Sequence, residues 1–264
     1  MNPDELAQAG VRLAVDGVVA TITLDRPDSR NSQTPAMWHA LTTIGAALPD
    51  EVRVVLLRGA GVTFSAGLDR RLLEPGGGQE GSVADLITQD DATISATIDG
   101  YQQGFTWLRD PRFVSIAVVH GYAIGAGFQL ALSCDLIVAT DDAQFCMKEA
   151  ALGLVPDLTG TKPLVEAVGY ARALEICATA RMVSAEEAVR IGIALSAVPA
   201  ADLDAVVSDL VAALTAPLAG AVRETKALLL GAGGRALDEQ RRLEREAQSR
   251  RFRELAALLA PAGE

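Results

Sequence analysis

The sequence predicts an α/β fold followed by a helical C-terminal region. Apolar periodicities of strand and helix type alternate as far as about residue 197, and no convincing strand follows Pro199. A length of 264 residues, half of them apolar and 22% charged, is enough to bury a sizeable core in one large domain.

The elements follow in order. Residues 11–15 alternate, Asp16-Gly17 is a turn, and residues 18–24 (VVATITL) are β-branched with apolar side chains at every second position, so the chain opens on a hairpin. Arg26-Pro27-Asp28 ends it. Met37, Leu41, Ile44 and Leu48 recur at helical spacing over residues 35–48, with Thr34 as N-cap and Pro35 at the first helical position. Residues 52–58 (VRVVLLR) read as a buried strand. Residues 74–82 form a glycine-rich loop, expected to be mobile. A rather polar helix is expected over 84–108, ended by Pro111. A strand at 115–119, a glycine turn at 121–127, a buried helix at 127–134 and strands at 136–139 and 144–147 come next. Beyond Pro199, residues 201–214 and 235–259 read as helices. In the second, Glu246 and Arg250 stand at i, i+4, and Leu255, Leu258 and Leu259 line one face. The expected division is a core over 1–198 and a helical region over 199–264 that packs on the core or on a neighbouring subunit.

Composition excludes several functions. Lys plus Arg is 23 and Asp plus Glu is 34, a net charge of −11 that repels a phosphate backbone, so nucleic acid is not an expected partner. A local basic cluster still suffices for one phosphorylated ligand. Three dispersed cysteines, Cys134, Cys146 and Cys177, without a CxxC, fit buried thiols in a reducing cytoplasm. Two histidines, His39 and His120, outside any HExxH frame give no zinc site, and no metal is expected. The first ten residues lack the basic and apolar parts of a signal peptide, and no apolar run spans a membrane.

Two glycine turns draw attention. GAGVTFSAGLD (59–69) runs from a strand through small residues into Arg70 and Arg71. HGYAIGAGF (120–128) opens a buried helix, whose first N–H groups have no intrahelical acceptor. Facing each other, such turns make an oxyanion hole. The dinucleotide fingerprint is absent, because Leu130 stands where GxGxxG needs its third glycine, and Thr63 breaks the GxSxG elbow around Ser65.

These two segments, with FCMKEAALGLVPD (145–157), resemble the crotonase, or enoyl-CoA hydratase/isomerase, superfamily. LDRPDSRN (24–31) resembles its LxRPxxxN segment, and Thr179-Ala180-Arg181 with SAEEAVRIGI its TGxxxxAxEAxxxGL stretch. The resemblance covers roughly residues 11–230. It implies a spiral of ββα units with a helical C-terminal region, a homotrimer or hexamer, and acyl-CoA thioester substrates, coenzyme A being part of the substrate and no separate cofactor being needed. It assigns the oxyanion-hole N–H groups to Leu68 and to Ala126, where alanine replaces the usual glycine. It places Ser29, Arg30 and Ala66 near the adenine end of CoA and Arg71 near its phosphates, with Asp69 and Gln129 also among the substrate-binding residues.

The same resemblance narrows the chemistry. Hydratases of the superfamily use two glutamates; the first position is Gln129 in this chain, and an amide is no general base. The second, Glu149, is retained. Eight residues on stands Asp157, where dienoyl-CoA isomerases carry an acid. The chlorobenzoyl-CoA dehalogenase also carries an acid there, but has tryptophan at the position of Glu149. Glu149 with Asp157 therefore reads as a proton-shuttling pair and double-bond isomerisation as the expected reaction. A single-glutamate hydratase and a non-catalytic acyl-CoA-binding protein are the alternatives. The bland readings are a helix cap for Asp157, a solvated charge for Glu149 and a plain structural role for Gln129.

Overall fold

The computed structural model describes residues 2–74 and 82–259. A short helix, α1 (Pro3–Gln8), precedes the hairpin β1 (Val11–Asp16) and β2 (Val19–Leu24), which pair antiparallel with Asp16 opposite Val19. Gly17 supplies the positive φ, 54°, that a two-residue primed turn requires. Helix α2 (Pro35–Ala47) begins as its sequence predicts, with Thr34 Oγ1 accepting from Met37 N–H. Strand β3 (Val54–Gly59) then pairs parallel with β2.

The polar helix expected over 84–108 is two helices, α3 (Val83–Leu86) and α4 (Asp91–Thr106). Two local caps divide it: Ser82 accepts from Asp85 N–H, and the Asp90 carboxylate accepts from Thr93 N–H at 2.8 Å, starting a new helix where one was ending. Of the expected loop over 74–82, residues 75–81 lie outside the described residues.

The chain then passes repeatedly between two sheets. Strand β4 (Val114–Val119) joins the first, β5 (Tyr122–Ile124) the second, and α5 (Ala126–Ser133) returns. Strands β6 (Leu136–Thr140) and β7 (Gln144–Cys146) repeat the pattern and lead into α6 (Thr161–Val168) and α7 (Tyr170–Thr179). Strand β8 (Val183–Ser184), α8 (Ala185–Arg190) and β9 (Ser196–Val198) complete it. The six-stranded sheet has the order β1-β2-β3-β4-β6-β9 and the three-stranded sheet β5-β7-β8. These ββα passes are the spiral expected from the resemblance.

The alternation of β3 and β4 sorts two cores. Val55, Leu57, Ala117 and Val119 face the main core with Met37 and Leu41 of α2 and Phe128 of α5. Val54, Leu56, Ile116 and Val118 face the other way and are covered by Leu203 and Val207 of α9 (Leu203–Thr215). Each buried Val, Leu, Ile, Met or Phe among them contributes about 1.5–3 kcal/mol.

A helix not read from the sequence, α10 (Ala219–Ala232), precedes α11 (Leu237–Leu259). Its anchor is polar: the buried Lys226 ammonium donates to Asp110 O and Phe113 O, each at 2.7 Å, and to Asp135 Oδ2 at 2.6 Å. Arg250 does not make the i, i+4 pair with Glu246. It reaches across to Glu224 on α10 in a two-bond contact at 2.6 and 2.8 Å, geometrically stronger than a side-by-side pair on one helix, and Glu246 instead takes Arg242. Among the described residues, no single helix is long and apolar enough to cross a membrane.

Candidate active site

The two glycine turns dock along a short parallel bridge. Phe64 N–H donates to His120 O at 2.8 Å, Ser65 N–H to Tyr122 O at 2.9 Å, and Ile124 N–H to Ser65 O at 3.0 Å. Absent side chains permit this approach: a Cβ on Gly67 would lie 2.4 Å from Ile124 O, and one on Gly127 would lie 2.7 Å from Ser65 O. Leu68 N–H is left out of the neighbouring bridge, in which Gln33 N–H donates to Gly67 O and Asp69 N–H to Gln33 O. Ala126 is the first residue of α5, so its N–H has no intrahelical acceptor. The Cβ position of Gly67 lies only 3.6 Å from Ala126 N. Leu68 and Ala126 thus stand on adjoining turns with donors to spare, an arrangement suited to a developing oxyanion. Alanine fits at position 126 because the positive φ, 51°, falls on Gly125.

Ser65 is fully buried. Its hydroxyl donates to Asn31 O at 2.8 Å and accepts from Gln33 Nε2 and Gly67 N–H, so it pins the turn.

Strand β7 brings the first carboxylate to the same place. Cys146 O accepts from Gly125 N–H at 2.7 Å, and Glu149 follows in a single 3-10 turn. Glu149 Oε1 lies 3.4 Å from the Cβ position of Gly125. That oxygen accepts from Gln129 Nε2 at 2.6 Å, while the buried Oε2 has no partner among the described residues. Burial pushes the Glu149 carboxyl up; hydrogen bonds from its own backbone and from Gln129 oppose this, and the Asp157 charge adds to it. Burial also pushes Asp157 up. Asp157 caps no helix: α6 begins at Thr161, and the Asp157 carbonyl takes Gln102 Nε2 at 2.6 Å. Glu149, for its part, is no solvated surface charge.

Gln129 is placed otherwise than expected of a substrate-binding residue. It is fully buried on α5, and its Oε1 accepts from Leu158 N–H at 2.9 Å and Gly160 N–H at 3.2 Å. Its amide ties the Asp157 loop to Glu149.

A cleft of about 430 Å³ is lined by Asp25, Arg26, Pro27, Asp28, Ser29, Asp69 and Arg71. Arg30 and Asn31 adopt φ of 54° and 52°, and Arg30 O accepts from Ala66 N–H, so Ser29, Arg30 and Ala66 come together beside the cleft. Asp69, also expected to bind substrate, is buried and engaged. Arg71 holds both its oxygens, at 3.0 and 2.7 Å, and Arg26 adds a bond at 2.9 Å. The Arg71 hydrogen bond, helped by Arg26 and opposed by burial, keeps this carboxyl well below the usual carboxylate range. Asp69 is the clamp that positions the two guanidiniums. Arg26 and Asn31 were legible only as members of LDRPDSRN. The structure adds their work: Asn31 Nδ2 donates to Ala60 O and Thr63 O, fastening the first turn.

The enoyl-CoA hydratase/isomerase family profile matches residues 15–257. The chain belongs to this family. Among similar proteins, the carnitinyl-CoA dehydratase of Proteus mirabilis is 35% identical over 73% of this chain and 69% of its own length. The (E)-benzylidenesuccinyl-CoA hydratase of Thauera aromatica is 34% identical over 69% of this chain and 67% of its own. A Thermobifida fusca YX protein, provisionally named an enoyl-CoA hydratase and solved in complex with acetoacetyl-CoA, superposes with a TM-score of 0.91 at 51% identity, covering 96% of this chain and 98% of that one. The spiral is therefore the crotonase fold.

Proposed function

We propose that the protein binds an acyl-CoA thioester with the thioester oxygen between Leu68 N–H and Ala126 N–H, and shifts a carbon–carbon double bond through an enolate. Glu149 is the base that takes a proton from the carbon next to the carbonyl. It returns the proton further along the chain for a short shift, and Asp157 serves as second carrier for a longer one. The observation that carries this reading is the Glu149 carboxyl, buried beside the Gly125–Ala126 turn with Oε2 unpartnered among the described residues and a second carboxyl close enough to raise its pKa. A carboxyl whose pKa is raised by burial is suited to shuttling.

The CoA moiety is assigned to the cleft of Ser29, Arg26 and Arg71, whose guanidiniums suit phosphates. The related Thermobifida fusca protein, solved with CoA and with acetoacetyl-CoA, supports that ligand class. Coenzyme A is then substrate, and no separate cofactor enters.

A second reading, hydration by Glu149 alone, is favoured by the names of the relatives, most of which are hydratases. Against it stands the amide at position 129, which lacks a second carboxylate and has its acceptor oxygen committed. Product analysis on 2-enoyl-, 3-enoyl- and 3,5-dienoyl-CoA in ¹⁸O-water separates the two. Isomerised products without ¹⁸O are expected; rapid ¹⁸O uptake into a hydroxyacyl-CoA as the main product would overturn the isomerase reading.

The assembly we infer is a homotrimer or hexamer, with residues 199–264 contributing to subunit contacts and covering the site. Exposed Phe252, Leu258 and Leu259 on α11 support it. Light scattering at micromolar concentration is expected to give three or six chain masses, and a stable monomer would defeat it. Unpaired Cys134, Cys146 and Cys177 support a cytoplasmic location.

A further inference from the structure

We propose that Gln129 is a positioning residue that dictates which oxygen of Glu149 carries the transferable proton, and that seats the Asp157 loop through the same amide. This rests on the reading of Glu149 as the base.

The polarity of the Gln129 amide is set by its neighbours. Leu158 and Gly160 present backbone N–H groups to one end, at 2.9 and 3.2 Å, and an N–H can only donate. That end is therefore the carbonyl oxygen, and the end facing Glu149 is the NH₂. At 2.6 Å, Glu149 Oε1 must accept from it. Of the two oxygens of a neutral carboxyl the carbonyl is the better acceptor, so the oxygen held by a fixed donor is favoured as the carbonyl and the other as the hydroxyl. The proton of neutral Glu149 then belongs on Oε2, the buried oxygen to which no group among the described residues is offered. The amide converts a symmetric carboxyl into one with a single working oxygen.

Packing around Gln129 is specific to this task. A Cβ on Gly160 would lie 2.6 Å from Gln129 Cγ and 3.0 Å from its Cβ, so the loop reaches the amide only because residue 160 has no side chain. Gln129 N–H donates to Gly125 O at 2.9 Å, and Ser133 Oγ to Gln129 O at 2.9 Å, so the residue is held on the first turn of α5, three residues from Ala126. One rigid helix thus carries an oxyanion donor and the brace of the base. The other ionisable groups around Glu149 are Asp157, whose charge acts on it, and Cys146 and Cys177, whose thiols feel its charge. Lys148, its neighbour in sequence, is exposed.

The test reads Glu149 directly. Its carboxyl band is followed by infrared spectroscopy against pH in the intact protein, with Glu149→Gln identifying the band. Steady-state rates are measured on 3-enoyl-CoA alongside. In Gln129→Met the carboxylate loses its donor, so its titration is expected to move up by about one pH unit. The limb of the kcat profile moves with it, kcat falls by roughly 10-fold or more, and KM stays within about 3-fold, as for a group acting only on the chemical step. Gln129→Glu keeps the shape and the acceptor oxygen, and is the second variant should Gln129→Met not fold. There, two carboxyls 2.6 Å apart share one proton, and their titration is expected to split into two separated steps. A Glu149 band titrating as in wild type in a folded Gln129→Met, or one unsplit step in Gln129→Glu, overturns the proposal. Glu149→Gln with undiminished isomerisation would instead overturn the reading of Glu149 as the base, while the infrared titration still judges the brace.

Discussion

Gly67 and Ile124 touch at a point where no side chain fits: a Cβ on Gly67 would sit 2.4 Å from the Ile124 carbonyl oxygen, and Gly67 adopts φ 87°. This contact sets the separation of the turns that carry Leu68 and Ala126. Gly67→Ala is expected to cost about 1–3 kcal/mol of stability through strain. It should also lower kcat by about 10²-fold by displacing one oxyanion donor. Gly17→Ala is the control, because Gly17 also has positive φ but nothing within 4 Å of its Cβ position. Urea denaturation and steady-state kinetics of both variants check it; equal kinetic losses would refute the link.

Glu149→Gln is expected to reduce isomerisation by about 10²- to 10⁴-fold with acyl-CoA binding nearly unchanged, since backbone donors and cleft are untouched. Calorimetric titration with an unreactive acyl-CoA gives the binding arm.

The same substitution should stabilise the protein, with a definite sign in pH. Burial raises the Glu149 pKa in the folded state, so the folded protein binds this proton more tightly than the unfolded chain. The contribution is fully present below the ordinary carboxylate range and is lost as pH rises through the folded-state pKa. Glu149→Gln removes that loss, so its melting temperature should exceed that of wild type at pH 8, and the gap should close towards pH 4. A pH-independent difference would contradict this.

Asp157→Asn should spare a short shift and impair a long one. Turnover of 3-enoyl-CoA within about 3-fold of wild type, with 3,5-dienoyl-CoA reduced by about 10²-fold or more, is the expected pattern for a second proton carrier. Equal losses on both substrates would reassign Asp157 to positioning.

Arg71→Ala should raise KM for acyl-CoA several-fold with kcat little changed, the pattern of a group that holds a remote part of the substrate. Gln129→Glu bears on the second reading: a new carboxylate opposite Glu149 is expected to raise hydration from its wild-type level, by a small factor because its charge is buried against the carboxyl of Glu149. Hydration that is already robust in wild type and unchanged by this variant would sink the isomerase reading.

Legibility in the sequence tracked how local each cause was. The hairpin, the Thr34 cap of α2 and the buried helix α5 were read within a residue or two, because turn chemistry and periodicity act over a few residues. The break at Asp90 was missed because a helical pattern ran through it, and α10 because its anchor, Lys226, is satisfied by Asp110, Phe113 and Asp135 from about a hundred residues away. Arg250 showed the same limit. Glu246 was its neighbour in sequence, but Glu224 was its partner in space.

At the site, small residues after a strand and before a buried helix brought out the two donor turns, whereas Glu149 and Asp157 were singled out by the resemblance to the superfamily. What each polar group does was decided only by folding. Gln129 and Asp69 looked like groups for a ligand, and burial turned them into a brace for Glu149 and a clamp for Arg26 and Arg71. The reason is physical: a side chain's hydrogen-bonding capacity is written in its type, whereas Glu149 for Gln129 and Arg26 for Asp69 come from 20 and 43 residues away, and only the tertiary structure brings them within 3 Å.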